Sequence, residues 1–129
     1  MRMSDAERKV MEVVWASEGC TAKDISLRLG EEIGWSKTTT YTMISVCVNK
    51  GYIRREDPKF HCFSKVARND VSVQEATTLV NVAYRGAADE LVADLVRNDM
   101  LTVKQLGKVY HALRKQEKAE LEAAEAAQE

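Results

Sequence analysis

Residues 35–56 read WSKTTTYTMISVCVNKGYIRRE, and their side chains suit contact with a polyanion. Hydroxyls stand at Ser36, Thr38, Thr39, Thr40, Tyr41, Thr42 and Ser45, an amide at Asn49, and cations at Lys37, Lys50, Arg54 and Arg55. Between Glu32 and Glu56 there is no Asp or Glu, in a chain whose formal net charge is −1. Hydroxyls and amides bond base edges or phosphate oxygens, and threonine and valine methyls touch thymine methyls. A carboxylate in the same place meets phosphate repulsion. The alternative for such a run is a plain polar helix face turned to water.

Helical spacing sorts these residues. On a helix over residues 37–50, Thr40, Met43, Ile44 and Cys47 fall at i, i+3, i+4 and i+7 and face inward. Lys37, Thr38, Tyr41, Thr42, Ser45, Val46 and Asn49 then share the outer face. Ser36 is a good N-cap, and the free amides behind it can hold a phosphate. Beyond Gly51, Arg54, Arg55 and Lys59 lie where a neighbouring backbone passes. The candidate DNA-binding set is therefore Ser36, Lys37, Thr38, Tyr41, Thr42, Ser45, Asn49, Arg54, Arg55 and Lys59.

Other chemistry finds little support. The chain has no Gly-rich phosphate loop, no H-E-x-x-H and no G-x-S-x-G, so no enzyme and no cofactor are expected. Cys20, Cys47 and Cys62 are scattered and odd in number, which argues for structural thiols over a disulfide framework or zinc site. His61 beside Cys62 is a weak metal signal, and His111 has no ligand-type partner at i+4, so no metal is expected. The acid pairs Glu31-Glu32 and Asp89-Glu90 read as solvated surface. Without an 18-residue apolar run or an apolar leader segment, the expectation is a cytoplasmic protein with no membrane partner. The charge is uneven: eleven basic against nine acidic residues in 1–66, eight against eleven in 67–129. The basic half is the one that holds the acid-free run.

The elements that must position these residues follow from periodicity and caps. Ser4 and Glu7 have capping-box spacing ahead of Val10, Met11, Val13, Val14 and Trp15, which predicts a helix ending near Ser17–Gly19. Cys20 reads as a very short strand. Thr21 and Asp24 repeat the capping spacing before Ala22, Ile25 and Leu29, a short helix stopped near Gly30. A turn over IGWSKT leads to the third helix, with Gly51 at its C-cap. The period then changes to two in YIRRED and KFHCFSKV around Asp57-Pro58, a hairpin. Helix, short strand, helix, helix and hairpin make a winged helix-turn-helix. From Val71 the pattern is helical only: about Ser72–Tyr84, about Ala88–Arg97, then Thr102 and Gln105 capping a last helix. Three stripes in about 45 residues are too small to bury their apolar faces alone, which predicts a homodimer. Its candidate contacts are Leu79, Val80, Leu91, Val92, Leu95, Leu106, Val109 and Leu113. The fold class is mainly α with a small β wing. The expected domains are a winged-helix domain over 1–68, a three-helix dimerisation region over 69–116 and a Glu/Ala-rich tail over 117–129, read as either a frayed helical extension or a solvated tail.

Taken together, these pieces resemble the penicillinase-repressor family of bacterial transcription factors, the BlaI/MecI/CopY type, over about residues 4–115. SDAERKVMEVVW is similar to the family's opening helix, TAKDI to its second, and WSKTTTYTMISVCVNKGYIRRE to its recognition helix and first wing strand. LVNVAYRGAADELVADLVRNDMLTVKQLGKVYHAL resembles its dimerisation region. The resemblance implies a homodimeric repressor on operator DNA. It assigns base reading to Lys37, Thr38, Tyr41, Thr42 and Ser45, and wing contacts to Arg55 and Lys59. Three positions depart from the family pattern. Val46-Cys47 replace an Arg before a Leu, the tail lacks the cysteine cluster of copper-sensing members, and Asp94-Leu95 stand where β-lactam-responsive members are cleaved between Asn and Phe. The competing expectation is a winged helix used for protein–protein contact without sequence-specific DNA binding.

Overall fold

The computed structural model describes residues 2–128; the outer bounds of the expected first domain and of the tail, Met1 and Glu129, lie outside the described residues. The elements run α1 (Asp5–Ala16), α2 (Ala22–Ile33), α3 (Lys37–Asn49), β1 (Ile53–Glu56), β2 (His61–Ser64), α4 (Arg68–Ala83), α5 (Ala88–Arg97) and α6 (Val103–Gln128). Internal contacts divide the chain into two compact units, Met1–Thr78 and Leu79–Glu129. The boundary falls inside α4.

In the first unit, three helices and a hairpin close around one core. Val10, Met11 and Val14 of α1, Ile25 of α2 and Ile44 and Cys47 of α3 are fully buried, joined by Ile53 and Cys62 of the hairpin. The Ser4 hydroxyl accepts from the Glu7 N–H and starts α1, but the second half of that capping box is replaced. Glu7, only 1% exposed, turns its carboxylate inward and accepts from Lys50 Nζ at 2.6 and 3.1 Å. Lys50 is the C-cap of α3, so this pair ties the end of α3 to the start of α1. The ion pair with Glu7 raises the pKa of Lys50. At α2 both halves of the Thr21–Asp24 box form, at 3.0 and 3.1 Å, and bonding from the Thr21 amide and then its side chain holds the Asp24 carboxyl below its usual pKa.

Helix α2 passes through Gly30, where a stop is expected, and ends at Gly34. The φ of 72° at Gly34 is a left-handed conformation that glycine adopts without Cβ strain, and Gly34 N–H closes the helix on Gly30 O at 3.1 Å. Extended pairing near Cys20 centres one residue later, on a bridge between Thr21 and His61. Cys62 N–H donates to Cys20 O at 2.8 Å and Ala22 N–H to Phe60 O at 3.0 Å, so the second wing strand is stitched to the start of α2. The hairpin pairs Ile53 with Ser64, Arg54 with Phe63, Arg55 with Cys62 and Glu56 with His61.

Helix α4 begins at Arg68, four residues before the expected start. Tertiary contacts explain the extension. The Trp15 indole N–H donates to Val66 O at 2.9 Å, Arg68 pairs with Glu12 at 3.0 Å, and Arg8 reaches Glu75 and Ser72 at 2.9 Å each.

In the second unit, α5 covers the expected range, and the Tyr84 hydroxyl donates to Asp94 Oδ2 at 2.9 Å. Thr102 and Gln105 form a reciprocal box at 2.9 and 3.1 Å ahead of α6. Helix α6 does not break at residue 116. It continues to Gln128 through a segment rich in Ala, Glu, Gln and Lys, all strong helix formers. Among the described residues, no helix is long and apolar enough to cross a membrane.

Candidate nucleic-acid interface

Ser36 caps α3 by accepting from Thr39 N–H at 3.1 Å, and the Thr40 hydroxyl donates back to Ser36 O at 3.0 Å. This sets the register of the whole helix. Thr40, Ile44 and Cys47 are completely buried and Met43 is half-buried against the core. The opposite side is a shallow open concavity lined by Lys37, Thr38, Tyr41, Thr42, Ser45, Val46 and Asn49. Lys37, Thr38, Thr42, Ser45 and Asn49 are exposed, whereas Tyr41 and Val46 are half-buried. Ser36 stands at the free N-terminal end of the same helix.

Tyr41 is held from two sides. Lys37 Nζ lies 5.7 Å from its ring centre, and Phe60 meets its ring edge-on at 6.4 Å between centroids with planes at 86°. The Arg55 guanidinium in turn stacks 3.6 Å above the Phe60 ring, with its Nε 2.9 Å from Asp57 Oδ1. Lys37, Tyr41, Phe60 and Arg55 thus form one continuous row from α3 to the wing. The row includes one residue that the spacing argument passes over. Phe60 follows a turn and precedes a strand, and no local period links it to Tyr41, 19 positions earlier.

The two wing arginines part company. Adjacent strand residues point to opposite faces. Arg55 shares a face with its partner Cys62, and Arg54 shares the other with Phe63, over whose ring it sits at 4.5 Å. Arg54 is also paired with Glu56. Lys59 is exposed on the turn and makes no ion pair among the described residues. The structure therefore brings together Ser36, Lys37, Thr38, Tyr41, Thr42, Ser45, Asn49 and, through Phe60, Arg55. Arg54 is set apart from this group.

The thiols are in apolar surroundings. Burial pushes Cys47 and Cys62 up to about 12, and burial followed by nearby Asp24 raises Cys20. None is a ready thiolate nucleophile at neutral pH. His61 Nδ1 lies 2.7 Å from Gly19 O, which can only accept, so that nitrogen carries the proton.

A hydroxyl-rich, acid-free helix face beside a two-stranded wing, followed by helices with unburied apolar stripes, matches a known sequence pattern along most of its length. The penicillinase repressor pattern matches residues 3–115. The chain belongs to the penicillinase repressor family. Among curated relatives, the methicillin resistance regulatory protein MecI of Staphylococcus aureus (strain N315) is 28% identical over 115 residues, covering 88% of this chain and 94% of that protein. The penicillinase repressor of Bacillus licheniformis is 25% identical over 114 residues, covering 87% and 89%. Two solved structures are similar to part of the chain. One is the solution structure of the DNA binding domain of the repressor BlaI, with a TM-score of 0.49 and 25% identity over 54% of this chain and 93% of that one. The other is Bacillus licheniformis BlaI in monomeric form with the blaP half-operator, with a TM-score of 0.47 and 26% identity over 54% and 88%.

In this member of the family, none of the expected dimerisation residues is fully buried. Leu79, Val92, Leu106, Val109 and Leu113 are exposed, and Val80, Leu91 and Leu95 are half-buried. No residue of α4, α5 or α6 is fully buried. Asp94 is engaged by the Tyr84 hydroxyl and by Arg97, and these bonds hold its pKa down.

Proposed function

We propose that this protein is a cytoplasmic, sequence-specific DNA-binding transcriptional repressor. It acts as a homodimer on a pseudo-palindromic operator and is not an enzyme. The observation that carries the reading is the outer face of α3. Five exposed residues there, Lys37, Thr38, Thr42, Ser45 and Asn49, offer donors and methyl groups with no carboxylate among them. Such a face fits the major groove, with Thr42 at mid-helix toward base edges and Ser36 with the first amides of α3 toward a phosphate. Tyr41 reads beside Thr42, and Arg55 and Lys59 of the wing meet the neighbouring backbone. Arg54, on the other wing face, contributes less. Membership in the penicillinase repressor family supports the same assignment.

The homodimer forms through residues 69–116, and the uncovered leucines and valines of α4–α6 support this. Two-fold symmetry then requires inverted half-sites separated by whole helical turns, about 34 Å each.

The test is a gel-shift on the duplex that the protein enriches from a randomised library, against random-sequence DNA. With roughly 6–10 phosphates contacted, affinity falls about a thousandfold or more from 50 to 200 mM salt. Thr42→Ala costs about 1–3 kcal/mol on the enriched duplex and little on random DNA, with an unchanged melting temperature because Thr42 is exposed. Arg55→Ala weakens both complexes alike and makes the salt slope shallower by about one unit per wing. A flat salt response and no preferred duplex point instead to a protein-contact module.

A further inference from the structure

We propose that Phe60 is a positioning residue that couples the base-reading helix to the wing, so that Tyr41 and Arg55 engage DNA in one fixed register. The proposal rests on the DNA-binding reading above and adds a residue to it. Phe60 presents no polar group to DNA. Its role follows from what it holds.

One ring serves two contacts on different elements. The Arg55 guanidinium lies 3.6 Å over its face, and Tyr41 of α3 meets it edge-on at 6.4 Å. The ring face carries partial negative charge, and stacking a guanidinium on it fixes the plane of the guanidinium without using its N–H donors. Arg55 Nε donates to Asp57 Oδ1 at 2.9 Å, and the two terminal NH2 groups stay available to a phosphate. On the other side, the edge-on contact limits the swing of the Tyr41 ring, and Lys37 Nζ at 5.7 Å limits it further. Two long side chains are thereby ordered before DNA arrives, which lowers the entropy cost of binding.

The backbone of Phe60 is itself pinned in an uncommon conformation. Its φ of 55° lies in the left-handed region, which a bulky non-glycine residue seldom occupies. Its carbonyl accepts from Ala22 N–H at 3.0 Å, at the start of α2. The position therefore joins α2, α3 and the wing at one point. Backbone strain retained at such a junction is a recognised mark of a functional constraint.

A space-filling role and a positioning role predict different results. Phe60→Leu keeps apolar bulk but removes the ring. It is expected to lower affinity for the enriched duplex about three- to tenfold, because Tyr41 and Arg55 are no longer ordered before binding, while random-DNA affinity, which loses only the Arg55 share, falls less, so that the specific-to-random ratio drops. Phe60→Tyr keeps the ring and is expected to restore the wild-type ratio. A double-mutant cycle of Phe60→Leu with Tyr41→Leu, read on the same duplex, is expected to be non-additive; it keeps the idea testable if Phe60→Leu loses some stability. Three results overturn the positioning role alone: an unchanged specific-to-random ratio in Phe60→Leu, an equal loss on both DNAs, or an additive cycle. A wild-type protein with no preferred duplex overturns the DNA reading and this proposal together.

Discussion

The two units use similar apolar residues in opposite ways. In the first, Val10, Met11, Val14, Ile25 and Ile44 are sealed from water. In the second, Val103 is 91% exposed and Val109 and Leu113 each 59%, along a helix that buries nothing. Helical periodicity is present in both, so amphipathic pattern alone does not make a core. The first unit has three helices and a hairpin that enclose a common volume. The second has too few elements to enclose one. Its exposed Leu106, Val109 and Leu113 recur at helical spacing along α6, the kind of surface that a partner covers.

Substitutions in the two units sharpen this contrast. The largest effect is expected in the sealed core: Ile44→Ala leaves a cavity and costs about 2–5 kcal/mol of stability, read by denaturant unfolding. Leu95→Glu in the second unit is expected to leave the first unit's unfolding unchanged while converting dimers to monomers. Sedimentation at micromolar concentration checks this, and a wild-type chain that is already a stable monomer there breaks the comparison. Lys50→Met falls next, because it leaves the buried Glu7 carboxylate without its donor. The same pair makes an alkaline prediction. The pKa of Lys50 is raised by Glu7, so its contribution is complete below the ordinary lysine value and is lost as pH rises through the folded one. The stability of Lys50→Met is therefore expected to fall less steeply at alkaline pH than that of wild type.

The smallest effect is expected at low pH, in both units. Asp24 is held down by the Thr21 amide and hydroxyl, and Asp94 by the Tyr84 hydroxyl and Arg97. Each contribution is present above the ordinary aspartate value and is lost as pH falls through the folded one. Asp24→Ala is expected to flatten the acid limb of first-unit unfolding only, and Tyr84→Phe that of second-unit helicity only. If either variant flattens both limbs, the two units do not titrate independently.

Much of the candidate interface was legible from local spacing. Ser36 as a cap, the inward set Thr40, Met43, Ile44 and Cys47, of which Met43 is only half-buried, and the outer row from Lys37 to Asn49 all follow from a 3.6-residue period and one N-cap. The Thr21–Asp24 and Thr102–Gln105 boxes are likewise contacts between residues three apart. Boundaries were less secure where a glycine was ambiguous: Gly30 and Gly34 both suit a helix stop, and only the backbone left-handed at Gly34 decides between them.

What the sequence by itself determined is therefore the set of elements, the face each turns outward and the family to which the chain belongs. The tertiary structure alone decided which side chains meet across elements. Glu7 has the right spacing to complete a cap on Ser4, yet it turns to Lys50, 43 positions away. Phe60 looks like an ordinary strand-start aromatic until the hairpin folds back onto α3 and seats it between Tyr41 and Arg55. Helix α4 starts early because Trp15, Glu12 and Arg8 are waiting beside it. The physical reason is common to all three. A period or a cap is set by the geometry of one short stretch of chain, whereas the partner of a charge or a ring depends on which groups lie nearest after the elements have packed.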